Sequence, residues 1–344
     1  MIDFADLNAR MPSLNKEAAL AAQARLDSLA KPVGSLGELE GLLVRIAGIS
    51  GSVDLGKRVV FVLAADNGVT AQGVTSIPPE ITATMASFMA ERRSAVCIMA
   101  ACAGADVCLV DMGMFRMLDM PGILNRHIAD GTADMSVGPA MTREQAAQAI
   151  QTGIELARNA ALQGYRLIAT GEMGIGNTTT SSALAAVLLG RKVAEVTGRG
   201  AGLSDEGLSR KIDVIKKAIQ VNDPNPGDAF DVLQKLGGFD IAGLCGLMLG
   251  GALCGVPVII DGFISAVASL VAVRLCPQAA HALIPSHISA EPGAILVLEA
   301  LGFSPIIHAN MRLGEGTGAV ALIPLLDMAA AVYHGLMTFD DIGM

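Results

Sequence analysis

Apolar positions along this chain fall into two patterns. Short β-branched runs stop at a polar or glycine residue, and longer Ala/Leu-rich stretches repeat with a helical period. The first thirty residues belong to the second kind and predict helix, stopped by Lys31-Pro32-Val33-Gly34. Ser35 precedes Glu38 by three positions, just ahead of a periodic run, a capping-box pattern that predicts a helix to about Ile49. Strands and helices then alternate. Residues 58–64 predict a strand ending in Ala65-Asp66-Asn67-Gly68, and residues 79–103 a helix. A second strand at 107–110 ends in Asp111-Met112-Gly113, followed by an irregular stretch, 114–142. Helix at 143–164, strand at 166–169 and helices at 181–189 and 204–220 come next. A Pro/Asn/Gly loop at 222–227 leads to a further helix, then a strand near Val258 and helices at 266–274 and 319–332.

This order predicts an α/β fold, a parallel sheet with helices on both faces. Such strands are continuous apolar runs, as here. Ligands gather at the carboxyl ends of parallel strands, which singles out Asp66, Asp111, the loop after Ala169, and Asp261. The uncharged stretch 241–260 is long enough to span a bilayer. Gly250-Gly251 and Gly255-Val256-Pro257 interrupt it, so a helix, a turn and a buried strand account for it better.

Composition narrows the function. The 344 residues are 52% hydrophobic and 17% charged, ample for a large core and too apolar for disorder. Basic residues number 24 and acidic residues 33, a net charge of -9, which argues against a nucleic-acid or anionic-membrane surface. Trp 0, Tyr 2 and Phe 9 leave little for base stacking. Six cysteines without a CxxC pair predict reduced thiols, and the acidic N-terminus lacks a signal-peptide pattern, so the expected location is cytoplasmic. The five histidines are too scattered to predict a metal site, and no cofactor is expected.

Three segments carry chemistry. Thr170-Gly171-Glu172-Met173-Gly174-Ile175-Gly176-Asn177-Thr178-Thr179-Thr180-Ser181-Ser182 joins a strand to a helix. Glycines that admit a ligand to the backbone, beside hydroxyls at a helix start, make a phosphate cradle; a tight turn with a Thr cap is the alternative. It is not a Walker A loop, because no Lys follows the last glycine. In Arg312-Leu313-Gly314-Glu315-Gly316-Thr317-Gly318-Ala319, a lone carboxylate stands among glycines at the mouth of an apolar helix. It suits a general base or a helix N-terminal carboxylate equally well. Pro285-Ser286-His287-Ile288-Ser289-Ala290-Glu291 brings Ser, His and an acid together without a nucleophile elbow, and predicts a pocket-lining loop rather than a hydrolase site. Gly198-Arg199-Gly200-Ala201-Gly202 is an incomplete dinucleotide signal, and Lys211 by itself is an ordinary solvated lysine.

Six segments occur in a telling order: Lys31-Pro32-Val33-Gly34-Ser35-Leu36-Gly37, the Gly171–Thr179 loop, Leu236-Gly237-Gly238-Phe239-Asp240, Asp261-Gly262-Phe263, Ser286–Glu291 and Leu313–Ala319. The series resembles the nicotinate-nucleotide:dimethylbenzimidazole phosphoribosyltransferases of cobamide assembly over nearly the whole chain. The resemblance implies a Rossmann-like parallel sheet in a large domain, 55–310, and a small helical domain from both termini, 1–54 and 311–344. It implies a homodimer, with a heterodimer containing a paralogue as the alternative. Glu315 matches the family's catalytic base, Glu172 a second active-site carboxylate, and Lys211 a phosphate-side lysine. Gly174, Gly176, Asn177, Thr178, Thr179 and Ser289 fall to the nucleotide's phosphate and ribose, and Ile77, Met85 and Leu313 to the base pocket.

The implied reaction moves 5-phosphoribosyl from nicotinate mononucleotide to an aromatic lower-ligand base of benzimidazole or phenol type. It inverts the anomeric carbon, releases nicotinate and forms an α-ribotide, with Glu315 taking the acceptor's proton. Three positions depart from the family pattern: Ile77 replaces serine, Met85 replaces glutamine, and Asn67 stands where histidine is usual. The nucleotide half of the site is therefore intact and the base half altered. The rival readings are a non-catalytic or regulatory subunit paired with an active paralogue, and a nicotinamide-dinucleotide oxidoreductase.

Overall fold

The computed structural model describes residues 2–343. Six strands form one parallel sheet: β1 (Lys57–Ala65), β2 (Asp106–Gly113), β3 (Ile123–Asn125), β4 (Tyr165–Met173), β5 (Val258–Ile260) and β6 (Leu283–Pro285). Their order is β3-β2-β1-β4-β5-β6. The order reverses between β1 and β4, which opens a crevice at the carboxyl ends of the strands. Register across it pairs Leu63 with Glu172 and Ala64 with Met173, so both strands deliver their last residues to one place.

Strand periodicity explains the layers. On β1, Val59, Phe61, Leu63 and Ala65 join one hydrophobic cluster, and Val60, Val62 and Ala64 the opposite one. The first face is covered by the helices Arg143–Leu162, Asn177–Leu189, Phe239–Cys254 and Phe263–Leu275. The second is covered by Ile81–Ala90, Ala95–Cys102 and the start of Thr317–Gly335. A third, smaller cluster joins Ala22, Leu26, Leu29, Leu43, Ala47 and Val53 to Ala329, so N-terminal helices meet the C-terminal one. The first helix, Phe4–Ala9, lies elsewhere: Leu7 packs into the core over the sheet.

The stretch 241–260 is a buried helix followed by β5. Thr317–Gly335 is long and apolar enough to cross a membrane, but Val320, Leu322, Ile323 and Leu326 are buried against the sheet and its Asp327 pairs with Arg58.

Several elements differ from the sequence expectation. The helix after Gly34 starts at Glu38 with Gly37 as its cap, and Ser35 makes no capping bond. The Glu40 carboxylate accepts the Leu36 N–H at 2.9 Å and pairs with Lys31 at 2.8 Å instead. The predicted helix over 79–103 is two helices, because Arg92 turns left-handed and Ser94 caps a new start. Strands β3 and β6 and the helix Pro292–Ala300 have no counterpart in the sequence reading; three-residue strands are too short to show a period.

Candidate active site

A cavity of about 850 Å³ opens at the β1/β4 crevice. Glu172 is the penultimate residue of β4 and Asp261 follows β5; the Ser286–Glu291 loop follows β6, and the Arg312–Glu315 loop enters the helix Thr317–Gly335. Glu172, Glu315, Gly174, Gly176, Asn177, Thr178, Lys211, Ser289, Ile77, Met85 and Leu313 all line it. Thr179 is the exception among the residues that the resemblance assigns to the site. Its side chain is fully buried in the helix packing, its hydroxyl lacks a partner, and its N–H is already given to the Gly176 carbonyl.

One end of the cavity is apolar. Val74, Ile77, Ile81, Met85 and Leu313 face it, with Leu313 59% exposed at the mouth. Asn67 stays out of the cavity: its amide donates to the Ile175 carbonyl at 3.5 Å, on the underside of the glycine loop.

The other end suits an anion. The Gly174–Gly176 loop leads into the N-terminus of the Asn177–Leu189 helix, which has no side-chain cap and whose dipole favours negative charge. By itself Lys211 is expected in solvent, and the resemblance places it beside the phosphate; the fold buries it completely. Its ammonium donates to Thr178 Oγ1 at 2.9 Å and to the Gly198 carbonyl at 3.1 Å. Burial pulls its pKa down to about 8, and the nearby Glu291 works the other way. Gly198–Gly202 forms the facing wall and follows the four-residue helix Val193–Val196 rather than a strand. That removes the dinucleotide reading of this loop. Glu291 accepts the Gly200 N–H at 3.0 Å and ties this wall to the loop after β6.

Between the two ends sit carboxylates. Glu172 is buried, and burial, reinforced by Asp240 and Asp261, pushes it up to about 8. Asn177 donates its amide to Glu172 and, at 3.0 Å, to Asp240, which burial raises to about 6. Glu315 is 4% exposed and accepts the Val96 N–H at 3.3 Å. Burial and the Asp261 charge raise its pKa above the ordinary value. It holds a left-handed backbone, φ +62°, between Gly314 and Gly316, which are also left-handed. A non-glycine residue in this region costs about 1–2 kcal/mol and is found chiefly where function demands it. The loop reaches β4 because Gly171 has no side chain: a Cβ there would stand 2.4 Å from the Glu315 carbonyl.

The sequence left Glu315 open between a base and a helix N-terminal carboxylate. The second task falls to Asp261, whose carboxylate accepts the N–H groups of Gly318 at 2.7 Å, Ala319 at 3.1 Å and Gly316 at 3.2 Å. Glu315 is thereby left facing the cavity. Asp66 and Asp111, also flagged at strand ends, both bind the chain at and just after the end of β2. Asp66 takes the Phe115 N–H at 2.8 Å, and Asp111 the Gly113 and Met114 N–H groups at 2.9 Å. Asp240 and His287 went unnoticed as members of the cluster. Their proximity to Glu172 and Asp261 comes from packing between distant segments, and no sequence spacing encodes it.

A family model described as phosphoribosyltransferase matches residues 11–344. The chain is 47% identical over 330 residues to the nicotinate-nucleotide–dimethylbenzimidazole phosphoribosyltransferase of Acetivibrio thermocellus, covering 95% of this chain and 94% of that protein. It is 48% identical over 339 residues to the protein of the same name from Roseiflexus sp., covering 98% and 96%. Among solved structures, the crystal structure of CobT from Thermus thermophilus matches with a TM-score of 0.91 at 40% identity, over 95% of this chain and 99% of that one.

Proposed function

From the premise that this chain belongs to the phosphoribosyltransferase family, we propose that it transfers 5-phosphoribosyl from nicotinate mononucleotide to an aromatic base, for cobamide assembly. The observation that carries the reading is one cavity holding Lys211 and a glycine loop at its anion end, an apolar wall at the other, and Glu315 and Glu172 between them. The nucleotide's phosphate lies against Gly174, Gly176, Thr178, Lys211 and Ser289. Thr179 is left out, because its side chain is turned into the core. The acceptor lies against Ile77, Met85 and Leu313.

Holding both aromatic partners about one sugar carbon supplies most of the rate, because it removes the entropy of their encounter. The nicotinate ring nitrogen is cationic while bonded to ribose, so breaking that bond returns the electron pair and releases a neutral ring nitrogen. On a benzimidazole, the unprotonated nitrogen attacks and the proton leaves from the other ring nitrogen to Glu315. Raising a carboxylate's pKa toward neutrality improves it as a base, the direction burial gives Glu315. Glu172, at about 8, is largely protonated at neutral pH and presents a hydrogen-bond donor rather than a second charge. Two neighbouring carboxyls with separated proton affinities can divide acid and base roles.

The protein works in the cytoplasm as a homodimer, the state the resemblance implies, and the mass of the purified chain distinguishes this from pairing with a paralogue. The reaction is tested by incubating the purified chain with nicotinate mononucleotide and dimethylbenzimidazole, and following nicotinate and ribotide by mass spectrometry. Turnover that Glu315→Gln reduces about 10²–10⁴-fold, with nucleotide affinity intact, is the expected result. No turnover by the chain alone would return it to the regulatory-subunit reading.

A further inference from the structure

We propose that Asp261 is the positioning residue for Glu315, fixing the left-handed turn that aims the Glu315 carboxylate into the cavity. The inference rests on the reading of Glu315 as proton acceptor. Asp261 is well placed to act as a rigid anchor. Its own N–H donates to Thr170 Oγ1 at 3.0 Å, and that hydroxyl donates to the Ile259 carbonyl at 3.0 Å, so its backbone is tied across β4 and β5. Its buried carboxylate then spans three N–H groups, on Gly316, Gly318 and Ala319.

A helix start needs less than this. A serine or asparagine side chain satisfies one or two of its N–H groups without burying a charge. The turn before this helix is the demanding part. Gly314, Glu315 and Gly316 are left-handed in succession, a path that Glu315 on its own disfavours. Asp261 takes the N–H of the residue immediately after Glu315, so releasing that bond frees the turn where Glu315 sits.

Asp261 has a second influence, through charge. The titratable and charged groups that line the cavity with Glu315 include Asp261 after β5, Glu172 near the end of β4, His287 after β6, beside Asp261, and Arg312 on its own loop; Val96 gives it an N–H. Asp261 is the negative neighbour that raises the proton affinity of Glu315. Burial is the larger cause of that raised affinity, and Asp261 adds to it, so one side chain bears on both positioning and proton affinity.

The test compares wild type, Glu315→Gln, Asp261→Asn and Asp261→Ser. Asparagine keeps the shape and loses the charge, and serine keeps one acceptor for the turn. Each is measured for turnover with nicotinate mononucleotide and dimethylbenzimidazole, for mononucleotide affinity by calorimetry, and for the pH dependence of kcat. The Asp261 variants should lose about 10²-fold in kcat, the cost of misplacing a reacting group by about 1 Å. Mononucleotide affinity should stay within about twofold, because the lost interaction acts only on the reacting groups. The acid limb of kcat should move to lower pH, since removing a like charge eases ionisation of Glu315. A purely structural cap would not move that limb. Folded variants with unchanged kcat and an unmoved acid limb would overturn the proposal. So would failure of both variants to fold, which would assign Asp261 to stability alone. If Glu315→Gln itself turns over like wild type, the reading of Glu315 fails instead, and the two failures are told apart.

Discussion

Replacing Lys211 with methionine separates what a buried charge costs the fold from what it gives the ligand. The ammonium sits in a fully buried position with two oxygens for partners, and burial takes its pKa from 10.5 to about 8. At ~1.4 kcal/mol per tenfold change, holding the proton there at pH 7 costs the fold about 3 kcal/mol. Methionine reaches as far as the lysine Cε and carries no charge. Losing the bonds to Thr178 and Gly198 offsets about 1–2 kcal/mol of that gain. Lys211→Met should therefore be more stable than wild type at pH 7 by about 1–2 kcal/mol. The sign follows from linkage. Between about pH 8 and 10.5 the unfolded chain holds this proton and the folded one does not, so wild-type stability rises with pH across that window and the gap closes. Binding should respond oppositely. An ammonium–phosphate bond contributes about 1.5–3 kcal/mol, so the variant should bind nicotinate mononucleotide about 10- to 150-fold more weakly, with dimethylbenzimidazole affinity little changed. In wild type the mononucleotide affinity should fall as pH rises above about 8, and in the variant it should not. Urea unfolding at pH 7 and 9.5, with calorimetry for both ligands, reads all of this. A variant less stable at pH 7, with undiminished mononucleotide affinity, would refute the reasoning.

Glu172→Gln should remove a pH-dependent cost: between pH 4.5 and about 8 the folded state holds a proton the unfolded chain has lost, so wild-type stability falls with rising pH. Urea midpoints should therefore favour the variant increasingly from pH 5 to 7.5. Gly314→Ala places a Cβ 2.3 Å from Glu172 Oε1 on a backbone at φ +83°. It should lose turnover as well as the ~1–2 kcal/mol of a left-handed alanine. Gly51→Ala, with the same φ and open space around it, should lose only the stability, as thermal melting and steady-state rates would show. Ile77 and Met85 give the acceptor wall no hydrogen-bonding side chain, and each buried polar group left unpaired costs about 1–3 kcal/mol. Competition between dimethylbenzimidazole and p-cresol should therefore shift toward the benzimidazole in Ile77→Ser/Met85→Gln.

Periodicity along the chain determined the architecture. Buried parallel strands are unbroken apolar runs, and Val59–Ala65, Val107–Val110 and Leu167–Ala169 carry that signal within β1, β2 and β4. The segments that line the cavity were also legible, because glycine-flanked polar residues at strand ends are unusual in so apolar a chain. Packing decided the rest. The capping pattern at Ser35 and Glu38 is unused because Gly34 and Gly37, both left-handed, turn the chain before the helix, and Glu40 reaches the free N–H instead. At Thr142 and Gln145 the same kind of pattern does form a capping box. Lys211 lies on a helix whose neighbours Arg210 and Lys216 are exposed, and contacts with Thr178 and the wall at Gly198–Gly202 enclose it. The same holds for Glu315: sequence placed a carboxylate among glycines, and tertiary structure brought Asp261 from another strand to take the helix cap. Local spacing fixes which face of an element a residue occupies. What that face meets depends on segments a hundred residues away, and burial, proton affinity and the division of roles among carboxylates follow from that meeting.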